Sequence, residues 1–213
     1  MTPRFVRPAL PTQVFRDADG APILYGERWG TDGPSADAYS TVTHPERFAP
    51  LHAVADALID YLTRTFDADV DSAPEHAGDL VRQGITVVRA VRVTPRERDA
   101  APLTFVFTDF PGLAVHAGAL HDFIYPDCGC DACDETAEGE AEELEHLIQG
   151  VTSGSYSEWV GRHATAGMRL EFDGGYTGGG GNVSAIPKER LENARARLAA
   201  LPNGWAPWPL RAE

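Results

Sequence analysis

Three cysteines are the residues of this sequence with the most distinctive chemistry. They occupy positions 128, 130 and 133, at the spacing Cys-x-Cys-x-x-Cys, and no other cysteine occurs among the 213 residues. Thiolates bind soft and borderline metal ions, and Zn²⁺ takes four ligands in a tetrahedron with Zn–S distances of about 2.3 Å. A tight loop can supply three sulfurs for such a tetrahedron. Cys128, Cys130 and Cys133 therefore predict a metal site, with zinc as the expected ion.

A tetrahedral site needs a fourth ligand, which the cysteines do not supply. His121 is the first candidate, followed by Asp134 and then by His116. Both histidines precede the loop on extended chain and can fold back, whereas Asp134 is adjacent to Cys133. Water or a substrate in this position would leave the site open. His146 is excluded for a site at the start of the following helix, because it lies about 11 residues along that helix, or roughly 16 Å at about 1.5 Å per residue.

Other uses of the cysteines stay open at this point. A structural zinc knuckle, an open catalytic or regulatory zinc site, and a redox pair of Cys130 and Cys133 all fit the spacing. The βαβ setting of thioredoxin-like motifs is absent, and an iron–sulfur cluster would lack a fourth cysteine. The remaining interpretation is three reduced cysteines without a role.

Negative charge is concentrated around the cysteines. The chain has a formal net charge of −14, and residues 99–161 contain 13 acidic residues with no Lys or Arg. This balance argues against non-specific nucleic-acid binding, which requires a basic footprint. The five glutamates of residues 138–145 indicate either a solvated helix face or a surface that attracts a basic protein partner. Neither a membrane span nor a secretory signal is recognised, so no membrane partner is expected.

Hydrophobic periodicity predicts the elements that position the cysteines. Helices are expected over 44–66, 135–149 and 187–200, the first with a capping box at Thr43 and the second stopped by Gly150. The second helix would aim its N-terminal amides at the thiols and lower their pKa values. The glycine-rich residues 173–182 are interpreted as a mobile hairpin loop. Strands are predicted over 85–93, 103–110, 113–117, 121–125, 156–160, 168–172 and 182–186.

Short strands joined by tight turns, with helices between the groups, indicate an α+β fold with a mainly antiparallel sheet flanked by about three helices. The length fits a single domain over residues 1–213, with an irregular segment rich in Pro and Gly over residues 1–40. The motifs of serine hydrolases, zinc proteases, P-loop proteins and dinucleotide-binding proteins are all absent. Whether the protein is an enzyme is therefore open from the sequence.

Five segments of the sequence together resemble an uncharacterised family of actinobacterial proteins, defined as a domain of unknown function. The resemblance runs over roughly residues 39–175, and its specific part is the motif CGCDACDE at 128–135. It implies a bacterial, cytoplasmic protein and brings no activity, substrate or ligand. The other segments are HPERF at 44–48, LH at 51–52 with ADAL at 55–58, APLTFVF at 101–107 and FPG at 110–112.

Overall fold

Antiparallel strands and three α-helices make up the computed structural model, which describes residues 4–212. Short 3₁₀ turns at Ala36–Ala38, Pro45–Phe48 and Pro74–Asp79 add to these elements. No helix within residues 4–212 has both the length and the apolar character needed to cross a bilayer. The elements are β1 (Phe15–Arg16), β2 (Pro22–Ile23), α1 (Pro50–Thr65), β3 (Ala68–Ser72), β4 (Val87–Pro95), β5 (Leu103–Thr108), β6 (Leu113–Ala117), β7 (His121–Tyr125), α2 (Ala137–Ser153), β8 (Tyr156–Val160), β9 (Thr165–Phe172), β10 (Gly175–Asn182) and α3 (Lys188–Ala199).

The strands form three sheets. Five strands pair in the order β3-β4-β5-β6-β7, three pair in the order β10-β9-β8, and β1 pairs with β2 in a small hairpin. Every pair is antiparallel. The α+β class with mainly antiparallel sheet, predicted from the alternation of short strands and turns, is confirmed.

The main core lies between α1, α2 and one face of the five-stranded sheet. Helix α1 buries an apolar stripe that includes Leu51, Leu58 and Leu62, each at most 1% exposed. These side chains share one cluster with Phe105 and Phe107 of β5. A 3₁₀ turn, Pro74–Asp79, packs across the opposite face, so β5 is buried on both sides. Each such leucine contributes about 1.5–3 kcal/mol by leaving water.

Helix α1 begins later than predicted. A 3₁₀ turn occupies residues 45–48, and the α-helix starts at Pro50 without a side-chain cap. Thr43 therefore does not form the expected capping box. Its hydroxyl instead binds a carboxylate 88 residues further along the chain, that of Asp131.

Helix α2 is longer than predicted at its C-terminal end. Thr136 caps its start by accepting a hydrogen bond from the backbone N–H of Gly139 at 3.1 Å, and Gly154 ends it with a φ of 76°. Gly150 lies inside the helix, so the predicted stop there is wrong. A Cβ on Gly150 would lie 1.9 Å from Cδ1 of Leu170. The glycine thus permits close packing between α2 and β9 rather than ending the helix.

The glycine-rich residues predicted to form a mobile loop instead form strand β10. This strand pairs with β9 over eight residues and ends at Asn182, so the strand predicted over 182–186 is wrong. The ring of Trp159 on β8 lies over Gly167 of β9 and Gly180 of β10. Cβ atoms on these two glycines would be 2.4 and 2.3 Å from its Cζ2. An indole therefore covers backbone that glycine leaves bare, which stabilises an otherwise weak strand.

Substitution of Gly150 separates close packing from helix propensity. We expect Gly150→Ala to lower the free energy of unfolding by about 1–3 kcal/mol, because overpacking against Leu170 outweighs the better helix propensity of alanine. Gly139→Ala is the matched control, since its Cβ would make an ordinary 3.4 Å contact with Thr136. Urea denaturation of both variants measures the difference. Equal or higher stability of Gly150→Ala would show that the helix and β9 are not packed this closely.

Candidate metal centre

The three cysteine sulfurs converge in the loop between β7 and α2. All three Sγ atoms lie within 4.8 Å of one another, and Cys130 and Cys133 are 3.5 Å apart. Cys130 is buried, while Cys128 and Cys133 are exposed. A tetrahedral zinc ion with Zn–S distances of about 2.3 Å separates its sulfurs by about 3.8 Å. The observed spacing therefore needs only small adjustments to hold such an ion.

The loop closes on itself through Glu135. Its carboxylate accepts hydrogen bonds from the backbone N–H groups of Cys128, at 3.3 Å, and Gly129, at 2.5 Å. Gly129 has a φ of 73°, where side chains are strained, and a Cβ there would meet the ring of Phe110 at 2.9 Å. The sequence suggested that the N-terminal amides of a helix would face the sulfurs. Helix α2 starts only at Ala137, four residues beyond Cys133. Its N-terminal Gly139 amide donates to the Thr136 hydroxyl rather than to a sulfur.

Asp131 anchors the loop to the N-terminal part of the chain. Its side chain is 3% exposed and accepts hydrogen bonds from the Thr43 backbone N–H at 3.0 Å and from the Thr43 hydroxyl at 2.8 Å. The Arg28 guanidinium lies 3.3 Å away. Burial alone would raise the pKa of Asp131, but the Thr43 hydrogen bonds and the Arg28 charge outweigh it and lower the pKa. The loop thus carries a buried, ionised carboxylate.

Arg47 joins both ends of the loop to the same N-terminal segment. This buried guanidinium donates to the carbonyls of Gly129 at 3.0 Å, Glu135 at 3.2 Å and Thr43 at 2.6 Å. It also lies 4.2 Å from the ring centroid of Tyr25, as a cation–π contact. Because Arg has five fixed donors, one side chain can hold several carbonyls of an irregular loop.

Residues 28–43 add backbone contacts to the loop. The amide of Asp131 donates to the carbonyl of Thr41 at 2.8 Å, and the amide of Ala132 donates to the carbonyl of Ala38 at 3.1 Å. The indole of Trp29 donates to the carbonyl of Asp131 at 2.9 Å. The segment that the sequence marks as irregular is therefore the wall against which the cysteine loop is built.

Hydrogen bonds among the thiols shift the pKa values of Cys130 and Cys133 in opposite directions. The Cys128 thiol and the backbone amide of Cys133 donate to Cys130 and lower its pKa to about 7. The hydrogen bond with Cys130, with a further contribution from Cys128, raises the pKa of Cys133 to about 12. The group thus holds one readily formed thiolate stabilised by the two remaining thiols. A divalent cation that replaces those protons would bind the same three sulfurs.

The three candidates for the fourth ligand make other hydrogen bonds in the structure. Nδ1 of His121 is hydrogen-bonded to Glu158 at 2.8 Å, and Nδ1 of His116 is hydrogen-bonded to Asp122 at 2.7 Å. Asp134 accepts the backbone N–H of Arg28 at 2.8 Å through Oδ2. Among residues 4–212, the three cysteines are the only group of three or more His, Cys, Asp or Glu residues whose ligand atoms all lie within 4.8 Å of one another. The structure brings together the predicted sulfurs but not His121, Asp134 or His116 with them.

The anchors of the loop were not found by sequence reasoning. No motif indicated that Arg47, Thr43 and Glu135 hold the loop, and Arg47 lies 82 residues from the carbonyl of Gly129 that it binds. One signal was present: Asp131 lies in a stretch without any Lys or Arg. A buried aspartate there needs a basic partner from outside residues 99–161, and Arg28 is that partner.

Loss of Arg47 should loosen the cysteine loop. In metal-free protein we expect Arg47→Met to increase the rate of Cys130 alkylation about tenfold, because losing about 1.4 kcal/mol of local stability raises the open population by that factor. Arg64→Met is the matched control, since Arg64 lies within α1 and, among the described residues, donates only to the carbonyl of Asp60. Tandem mass spectrometry resolves the three cysteines. Equal Cys130 rates in the two variants would contradict the anchoring role.

Comparison with known proteins adds a family and no activity. The model of a family of unknown function, DUF6226, matches residues 11–212. No curated protein and no solved structure matches the chain significantly. Since the match covers nearly the whole chain, including the cysteine loop and its anchors, the chain belongs to the DUF6226 family of unknown function.

Proposed function

We propose that the protein binds one zinc ion through Cys128, Cys130 and Cys133. The observation that carries this proposal is the convergence of three sulfurs within 4.8 Å on a loop held by hydrogen bonds that do not involve those sulfurs. The loop geometry is therefore set before the ion arrives, which limits the ordering cost of binding. Three thiolate ligands favour zinc over hard cations such as Mg²⁺ or Ca²⁺.

The main proposed role is structural. Zinc on these sulfurs would tie the end of β7 to the start of α2, and through Asp131 and Arg47 it would tie both to the N-terminal segment. Metal binding to small thiolate sites is coupled to folding, so the ion would add several kcal/mol to the stability of this region. The three free cysteines also fit a reducing compartment, and the proposal includes a cytoplasmic location and a bacterial source.

The fourth ligand has three proposed sources. Asp134 adjoins Cys133, and its Oδ1 is buried without a hydrogen-bond partner among residues 4–212, so it has an unused acceptor. His121 stays a prediction as a ligand, and Nε2 would be its binding atom because Nδ1 pairs with Glu158. Water or an exogenous ligand is the third source, since Cys128 and Cys133 are exposed. An enzyme with an open zinc site is the corresponding alternative function.

Metal content tests the proposal directly. Protein purified without chelator or metal-affinity resin should contain about one zinc per chain, and Cys130→Ser should lose it, because one thiolate in three is removed. X-ray absorption should show three sulfurs at about 2.3 Å and one lighter ligand at about 2.0 Å. Asp134→Asn and His121→Ala identify that ligand if either changes the lighter shell, with His146→Ala as control.

Two results would contradict zinc binding. One is metal-free protein with three freely titrating thiols under the same handling. The other is a Cys130–Cys133 disulfide that forms and reduces reversibly at cytoplasmic potentials, since the 3.5 Å between these sulfurs also suits a redox pair. If an exogenous ligand displaces the lighter atom in cobalt-substituted protein, the site is open rather than closed.

A basic protein partner is a second proposal. Glu138, Glu142 and Glu143 are exposed on α2, although Arg7 from the N-terminal segment pairs with Glu145 at 2.5 Å and approaches Glu138 at 3.9 Å. The negative field of this helix is therefore partly compensated within the chain. A solvated helix face explains the remaining charge equally well.

Salt-dependent capture tests that second proposal. At low ionic strength we expect the wild type to retain a basic protein that Glu142→Gln with Glu143→Gln does not, because long-range attraction weakens as the charge falls. A variant with Asp17→Asn and Asp19→Asn has the same change in net charge on a different surface. Loss of retention in both variants, or retention in neither the wild type nor a variant, would contradict a specific partner.

A further inference from the structure

A cavity of about 720 Å³ lies between β7, the first half of α2 and the β9–β10 hairpin. This volume is within the range of about 300–1,000 Å³ that small-molecule sites occupy. Its walls include the apolar side chains of Phe123, Leu147, Met168, Leu170 and Ile186. None of the three cysteines lines it, so it is a separate feature from the metal centre.

His121 lines this cavity, and one of its two ring nitrogens is hydrogen-bonded within the protein. Nδ1 of His121 is 2.8 Å from Oε1 of Glu158, whose side chain is completely buried. The Glu158 carboxylate also receives N–H groups from Ala119 at 2.9 Å, Leu120 at 3.0 Å and the Trp205 indole at 3.0 Å. The three N–H groups use this carboxylate as an acceptor, and Nδ1 of His121 is assigned as its fourth donor.

The second nitrogen of His121 is available to a ligand. No residue in the described part of the chain hydrogen-bonds to its Nε2. In the neutral ring that nitrogen holds a lone pair, since Nδ1 carries the hydrogen. Glu158 also fixes the orientation of the ring, as carboxylates do for histidines in functional sites. His121 therefore contributes an oriented hydrogen-bond acceptor to the lining of the cavity.

Carboxylates define the electrostatics of the opposite wall. Asp127, Glu140 and Glu143 line the cavity, and its only Lys or Arg is Arg82, which is exposed. Burial, with further repulsion from Glu135, Glu143 and Asp127, raises the pKa of Glu140 to about 7. A bound cation would relieve this repulsion, whereas a bound anion would increase it.

We propose that this cavity binds a small organic cation with an apolar body. Its ammonium or guanidinium group would face Glu140 and Glu143, and its apolar part would contact Met168 and Leu170. Nε2 of His121 would accept a hydrogen bond from the ligand. The proposal rests on the cavity and on the His121–Glu158 pair, and it takes Asp134 or an exogenous group, rather than His121, as the fourth zinc ligand.

Methionine methyl signals provide a local readout, because Met1 and Met168 are the only methionines. Phenethylamine is the probe, and phenylacetate is its control of opposite charge. At pH 8, with methyl-labelled methionine and an assignment from Met168→Leu, phenethylamine should shift the Met168 signal saturably. The expected Kd is about 1 mM, the scale for a fragment of this size. The ¹⁵N signal of His121 Nε2 should move in parallel, and phenylacetate at equal concentrations should move neither.

Variants on α2 test the charge recognition. Glu140→Gln should weaken phenethylamine binding about tenfold, whereas Glu138→Gln should leave it unchanged, because Glu138 is on the same helix but outside the cavity. Zinc-loaded and zinc-free protein should give the same Kd. Equal shifts with phenylacetate, equal weakening in the two variants, or no shift of Met168 in the wild type would each overturn the proposal.

Discussion

The carboxylate of Glu158 links the two larger sheets to each other and to the C-terminal tail through buried hydrogen bonds. It belongs to β8 of the three-stranded sheet, and its partners lie in the β6–β7 turn of the five-stranded sheet and in the C-terminal tail. A buried charge is costly unless donors surround it. Because Glu158 has four, its removal from this position would leave all of them unpaired. Gly118 shows how closely the turn approaches, since a Cβ there would lie 2.1 Å from the same carboxylate.

The cysteine loop shows a different principle, in which distant backbone shapes a local motif. Its sulfurs are close in sequence, but the carbonyls and amides between them are held by Arg47, Asp131 and residues 28–43. The loop has no regular secondary structure of its own and depends on this wall for its shape. The affinity of this loop for a metal would therefore depend on the packing of the N-terminal segment as well as on the thiols.

Prediction from the sequence succeeded where local pattern decides the structure. Strands β6 and β7 have the predicted bounds, and α3 differs by one residue at each end, because alternation and helical periodicity are local properties. Cysteine spacing likewise identified the sulfur group. Predictions failed where a side chain distant in sequence decides the role of a glycine. Gly150 packs against Leu170 inside α2, and the glycines of β10 are covered by Trp159. The pairing of His121 with Glu158, 37 residues later, also has no local signature.

Trp159, Gly167 and Gly180 share one volume across three strands. A side chain at either glycine would collide with backbone as well as with the indole, since a Cβ on Gly167 would lie 2.5 Å from the carbonyl oxygen of Gly179 and a Cβ on Gly180 would lie 2.9 Å from that of Ala166. A smaller residue at position 159 would therefore not by itself admit a side chain at either position. A Cβ on Gly179 or Gly181 would meet no atom within 4 Å, so these two positions have room for a side chain. Neighbouring glycines of one strand thus differ in their tolerance of substitution, since Gly180 is confined by Trp159 and by backbone while the residues on either side of it face open space.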